Sequence, residues 1–231
     1  MNVMALLLAD SRFPGGGHVH SGGLEEAASR GLVRTEDDLP AFLRNRLRTA
    51  GALAATFAAA AAVENPDWST LDAELDARTP SAAQRAASRA QGKATARAAR
   101  AMATRPEGPL QDVQRLEGVL QGIGRRPHHA VVLGGLVGVG GGAPADAAAA
   151  AAYLAISGPA SAAVRLLGLD PLRVNAIVAG LAGEVEAVAR EAAVTAHLDP
   201  AELPAPGSPG LDLLAEEHDR HHREEVRLFV S

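Results

Sequence analysis

Apolar residues recur at three- and four-residue spacing along most of the chain, and alternation of period two is absent, so the pattern predicts helices and no strands. Met1 to Ala9 is a short apolar run that predicts a helical turn. Asp10 to Gly23 is rich in glycine and holds Pro14, which predicts a structured loop. Ser21 is placed to cap a helix beginning near Gly22, with Leu24, Ala27 and Ala28 inward. Thr35 followed by Glu36-Asp37-Asp38 marks a second N-cap. Behind it Leu39, Phe42, Leu43, Leu47 and Ala50 form one stripe, on a helix that continues to Val63 and stops at Asn65-Pro66. Trp68 to Ala77 reads as a short helix with Trp68, Leu71 and Leu75 on one side. Thr79-Pro80-Ser81 opens a long helix to about Thr104, and Pro106 to Gly122 forms another. Gly124-Arg125-Arg126-Pro127 breaks the chain, and an apolar helix from His128 ends at Gly140-Gly141-Gly142. Pro144 and Asp146 suit the first turn of a helix that reaches Leu167. One more helix is expected from Leu172 to roughly His197, then a proline-rich loop over 199–210 and a charged helix from Leu211 to Val226. The fold class is all-α: a compact multi-helix bundle in a single domain over 1–226, with a tail at 227–231.

Composition sharpens that picture. Hydrophobic residues make up 47% of 231 residues but aromatics only 3%, and much of the rest is alanine. Such a core has to be built by close backbone approach, not by large rings. Cysteine is absent, which excludes disulfides, a thiolate metal site and a cysteine nucleophile. No basic stretch precedes the first apolar run, so no signal peptide is expected. The net charge of −5 is uneven: −4 over residues 1–80, +5 over 81–170 and −6 over 171–231. A basic middle between acidic ends predicts charge-complementary contacts within the fold or with partners. Pro127 to Val164 has nearly the uncharged length of membrane spans. Alanine and glycine dominate it, so Gly134, Gly138 and Gly142 are read as a contact ladder in a soluble bundle, and no membrane is expected.

Several groupings invite chemistry. In the opening loop no Gly-Lys-Ser/Thr follows the glycines, so it is not a phosphate loop. Ser21 has no glycine two residues before it, so it is not a nucleophile elbow. His18 and His20 lack a third ligand fixed by sequence. A rigid turn is the competing reading, and a hydrolase would have to combine Ser21, His20 and Asp10. Gly138 to Ala143 matches a degenerate dinucleotide fingerprint but lacks the following strand and acid. Arg85, Arg89, Lys93, Arg97 and Arg100 form a basic ridge, and no acid interrupts residues 81–105. Few aromatics are available to stack on bases, so an acidic protein surface or the chain's own acidic ends suit the ridge better than nucleic acid; a solvated face is the plain alternative. His218, His221 and His222 fall together at helical spacing, a donor set suited to Ni²⁺ or Zn²⁺, or else a solvated face.

The opening segment also carries a resemblance. Asp10-Ser11, Phe13-Pro14, Gly16-Gly17 and His20-Ser21-Gly22-Gly23-Leu24-Glu25 resemble the signature of the UreF family of urease accessory proteins. Ser88 through Gly92-Lys93 to Arg100, His128 to Gly134, Ser161 to Leu167, and Glu216 with His218 and Arg227 to Ser231 are similar to later family segments, in the same order. His18 and Gly168 depart from it, standing where an aromatic and a proline are usual. The resemblance implies an all-helical, often dimeric cytoplasmic protein with no catalysis of its own. It implies work with UreD (UreH in some organisms) and the GTPase UreG in delivering nickel to apo-urease. Carried over by position, Glu216, His218, Arg227, Leu228 and Phe229 would dock UreD. Arg89, Lys93, Arg97 and Arg165 would lie at or near partner or dimer surfaces. A nickel-binding carrier using His218, His221 and His222 is the alternative.

Overall fold

A computed structural model describes residues 2–17, 20–103, 110 and 112–228, without the side chains of 113 and 222–228. Among these residues there are helices and no strands. Helix α1 (Val3–Ala9) is capped by Asn2, whose side chain accepts from the Met4 N–H. Helix α2 (Leu24–Ser29) follows the glycine loop, and the Ser21 hydroxyl accepts from the Glu25 N–H at 3.3 Å, so the expected cap reaches across a turn. Helices α3 (Leu39–Arg46) and α4 (Ala52–Ala61) form one rod, as the periodicity predicts, but a π turn over Leu47–Gly51 joins them. Thr35 is not the cap of α3. Asp38 precedes the helix, and its carboxylate folds back to accept from the Arg34 and Thr35 N–H groups.

Helix α5 spans Trp68–Ala77, capped by Asp67. Helix α6 spans Ala82–Ala103 and α7 spans Val113–Gly122; the expected start of α7 at Pro106 lies outside the described residues. Helices α8 (His129–Val139) and α9 (Pro144–Leu167) follow, with the Asp146 carboxylate accepting from the Ala143 N–H at the head of α9. The single helix expected after Pro171 is two, α10 (Pro171–Gly180) and α11 (Ala182–Val194). Gly180 and Gly183 weaken helix continuity on either side of Leu181, and the turn there buries that leucine. Helix α12 (Pro209–Leu228) extends beyond its expected bounds at both ends.

Helix α8 is the axis of the bundle, with every residue from Ala130 to Val139 buried. It packs against α4, α6 and α9, and α9 packs in turn against α4 and α11. Helix α9 is long and apolar enough to cross a bilayer, but 56% of its most apolar window is buried in the bundle. The glycine pattern at Gly138 to Ala143 is the end of α8 and its cap, with no preceding strand.

Close approach of backbones makes this core. A Cβ placed on Gly134 would run into the carbonyl oxygen of Ala58, and one on Gly138 would lie 2.9 Å from the carbonyl oxygen of Ala62. Both meet backbone of α4, which cannot rotate aside. Gly134→Ala should therefore destabilise the fold by about 1–3 kcal/mol through overpacking. Gly118→Ala, in mid-α7 where a Cβ meets nothing within 4 Å, should stabilise it by about 0.5–1 kcal/mol. Urea melts of the two variants check both signs.

Candidate functional site

The glycine-rich loop is pinned at both ends. Asp10 takes the Arg12 backbone N–H at 2.8 Å and its guanidinium at 2.6 Å, and these bonds hold the Asp10 carboxyl at about 2. Phe13 turns inward and packs on the core, while Ser11 and Pro14 are exposed. Gly15 crosses α6 so closely that a Cβ would lie 2.8 Å from Thr95 Oγ1, and Gly16 sits at φ +76° over Ala94. At the far end Gly22 (φ +63°) and Gly23 (φ +90°) make a turn against Arg46. Arg46 donates from Nη1 to the Gly22 carbonyl at 2.7 Å and from Nε to the Ala155 carbonyl at 2.9 Å. Ala155 lies four residues before Pro159, which has no N–H to offer it, so Arg46 supplies the missing donor. Burial lowers Arg46 to about 10, which leaves it charged. Leu24 beyond the turn is fully buried. His18 lies outside the described residues. His20 is partly buried.

A polar network joins α5, α6 and α8. Arg89 binds Asp72 at 2.9 Å, Asp76 at 2.6 Å and the Arg126 carbonyl. His128 is 1% exposed; its N–H donates to Asp72 at 2.6 Å, and its Nε2 and Nδ1 lie 3.0 Å from Asp76 and from the Ser88 hydroxyl. Burial and the Arg89 charge lower the His128 pKa, so the ring is neutral at pH 7. Asp76 is acceptor-only: burial raises its carboxyl, but bonds from Arg89 and His128 outweigh that and hold it below the ordinary range. Nε2–H therefore donates to Asp76 and the Ser88 hydroxyl donates to Nδ1. The order Asp, His, Ser matches a hydrolytic relay, but here Ser88 also accepts the His129 N–H at 3.2 Å and so caps α8. Sequence reasoning missed Asp72, Asp76 and His128 as a unit: the two aspartates share a helix face four residues apart, but His128 lies 56 and 52 residues beyond them, outside any local period. Of the basic ridge, Arg89 and Arg85 are thus turned toward α5, Arg85 donating to the Thr79 and Pro80 carbonyls.

Helix α12 lies across α2 and α6. The Glu216 carboxylate accepts from the Ser81 hydroxyl at 2.6 Å and the Ala83 N–H at 2.9 Å, and so caps α6. Asp212 accepts from the Gln84 amide at 3.0 Å. Glu26, only 2% exposed, binds Arg30 at 2.8 Å, and Arg30 also pairs with Glu217. His221 stands 3.3 Å from Glu26 and His218 3.9 Å from Glu25. The histidines thus meet carboxylates of α2. Glu26, Glu217 and His221 each offer one ligand atom, all within 4.8 Å of one another. Their chemistry suits Ni²⁺ or Zn²⁺, but Arg30 already holds both carboxylates and an ion would have to displace it. The His222, Arg227 and Leu228 side chains and all of Phe229 lie outside the described residues, although 227 and 228 continue α12. Lys93 and Arg97 are exposed on the outer half of α6, and Arg165 is exposed on the last turn of α9.

Fold and sites together define a class: a single-domain, all-α bundle with a glycine-rich N-terminal loop clamped onto its central helices by one half-buried arginine. The UreF family matches residues 33–182. The urease accessory protein UreF of Mycobacterium sp. (strain JLS) is 44% identical over 226 residues, covering 98% of this chain and 97% of the relative. Urease accessory protein UreF of Mycobacterium bovis (strain BCG / Pasteur 1173P2) is 42% identical over 229 residues, covering 99% and 98%. That of Mycobacterium tuberculosis (strain ATCC 25618 / H37Rv) is 41% identical over the same length, with the same coverage. The chain belongs to the UreF family of urease accessory proteins.

Two outcomes follow from this geometry. Arg89→Ala strips a shared cation from two carboxylates and should cost about 1–3 kcal/mol in chemical denaturation. Lys93→Ala and Arg97→Ala should each stay within about 0.5 kcal/mol of the parent chain. The second concerns pH. Burial, then the nearby His20, pushes His129 down to about 4, and His128 is lowered as well, both from an ordinary value of 6.5. The unfolded chain therefore takes up protons first on acidification. The stability these histidines contribute is complete above about pH 6.5 and is lost as the pH falls toward about 4. The Tm should drop across that window, and His129→Gln should flatten the drop; an unchanged slope in the variant would refute the assignment.

Proposed function

We propose that this chain is a non-catalytic scaffold of urease maturation. It bridges UreD (UreH) and the GTPase UreG while nickel is inserted into apo-urease, acting in the cytoplasm as a homodimer within the complex. The observation that carries this reading is membership of the UreF family over nearly the whole chain. The side chains support it. Asp10 is held by Arg12 and Ser21 accepts from the Glu25 N–H, so two members of the hydrolase alternative serve the loop. Lys93, Arg97 and Arg165 are the surface cations proposed to face partners, with Arg89 holding α6 in place behind them. Glu216 and His218 fix the C-terminal helix, whose continuation through Arg227, Leu228 and Phe229 is the proposed dock for UreD. An ending of Arg-Leu-Phe-Val carries apolar side chains suited to a partner groove. The alternative of a nickel carrier would draw on His221 with Glu26 and Glu217, and Arg30 competes with it.

A pull-down tests the scaffold. The full chain should retain both UreD and UreG, and a chain lacking residues 227–231 should lose UreD while keeping its helical circular dichroism. Retention of UreD by a folded, truncated chain would refute the tail assignment. Failure of the full chain to retain either protein would refute the bridge.

A further inference from the structure

The basic ridge is split by the fold, and its outer half opens on a cleft. Lys93, Arg97 and Arg100 stand on one face of α6, and Arg125 faces them from the turn after α7. They line a shallow cleft of about 530 Å³, with Leu120 and Pro127 in its wall and no carboxylate among the described residues that line it. All four cations are exposed. None has a hydrogen bond or ion pair among the described residues, whereas Arg85 and Arg89 on the same helix are both engaged.

We propose that this cleft receives an acidic amphipathic helix of a protein partner. Lys93, Arg97 and Arg100 are spaced four and three residues apart, so their charges run along about 10 Å of α6. Carboxylates at helical spacing on a facing helix match that line. Ala90 and Ala94 of α6, backed by the buried Leu120 and Pro127, offer a small apolar strip to the flank of such a helix, and four cations unpaired among the described residues complement its charge. Other polyanions fit less well. The lining holds no aromatic on which a base could stack, and the protein as a whole carries −5, which disfavours nucleic acid. A small phosphate is held by donors converging on one point, and these cations are strung out in a row. The inference deepens the scaffold reading by giving one partner surface its chemistry. Its test uses neither UreD nor UreG, so the two readings fail separately.

The probe is a fluorescein-labelled synthetic helix of about 18 residues, with glutamates at three- and four-residue spacing and leucines along one flank. Fluorescence anisotropy with the full chain should show saturable binding that weakens as salt rises. Lys93→Glu/Arg97→Glu and Arg125→Glu should each weaken it at least tenfold. Arg173→Glu, the same charge change at an exposed site on α10, should leave it within twofold. A Lys93→Gln/Arg97→Gln pair, with its thermal melt matched to the parent, guards against misfolding and should also weaken binding several-fold. The proposal is overturned if the probe does not bind, or if Arg173→Glu weakens it as much as the cleft variants do. It is equally overturned if a probe with serine in place of leucine binds as tightly, or if a single-stranded oligonucleotide or pyrophosphate binds the same cations more tightly than the helix does.

Discussion

Helices α4 and α8 touch through their backbones, and most of the bundle is arranged around that contact. A chain with 3% aromatics cannot fill wide gaps between helices with rings. It fills them by removing the gaps. Gly134 and Gly138 let α8 settle on the carbonyls of Ala58 and Ala62, and Gly92 does the same where α6 crosses the Pro127 carbonyl. Short interaxial distances raise the number of dispersion contacts per residue, which offsets the small area each alanine buries. The cost is intolerance. A methyl group at the crossing would part α8 from α4, and α9, which packs on both, would lose its seat.

The same economy explains the N-terminal signature. Pro159 inside α9 leaves the Ala155 carbonyl without its helical donor. Arg46 reaches it from the last residue of α3, just before the π turn, and binds the Gly22 carbonyl with its other arm. One half-buried cation thus closes a defect in one helix and fixes a loop more than twenty residues upstream of itself. A side chain at Gly22 would meet both the guanidinium and the Pro159 ring, which is why a glycine at positive φ stands there. The loop has the look of an active site because tight backbone turns and convergent polar groups are common to both. Here the convergence serves packing.

What could be read along the chain, and what could not, divides by distance. Helix α5 falls on Trp68–Ala77 as its stripe of Trp68, Leu71 and Leu75 predicts, and the π turn sits within a rod whose apolar period is otherwise continuous. The all-α class, the break at Pro127 and the proline loop after Asp199 are local signals and legible. The division of α10 from α11 falls at Leu181, where Gly180 and Gly183 weaken the helix and the turn buries the leucine; the apolar period alone does not encode it. The sites are less legible still. Glu26 carries no signal in the sequence that sets it apart, yet it is buried under α12 beside Arg30 and His221. Arg89 reads as one more surface cation in a ridge, yet its partners are Asp72 and Asp76 on a neighbouring helix. Spacing identifies which residues share a face and says nothing of what that face meets.

The uneven charge of the chain takes its meaning from this division. The basic middle and the acidic C-terminal stretch do meet within the fold, over the first half of α6. There Glu216 caps the helix, Asp212 holds Gln84, and α5 supplies two aspartates to Arg89. Helix α12 then departs toward α2, where Glu217, His218 and His221 meet Arg30, Glu25 and Glu26. Among the described residues, the outer half of α6 is left with its cations and no acid paired to them. An exposed row of like charges repels itself and adds nothing to the stability of the free chain. Among the described residues no neighbour neutralises it as Asp72 and Asp76 neutralise Arg89. Like charges left together in a cleft are favourable only when something of opposite charge lies against them, so the balance that the inner half of α6 finds within the chain the outer half finds outside it.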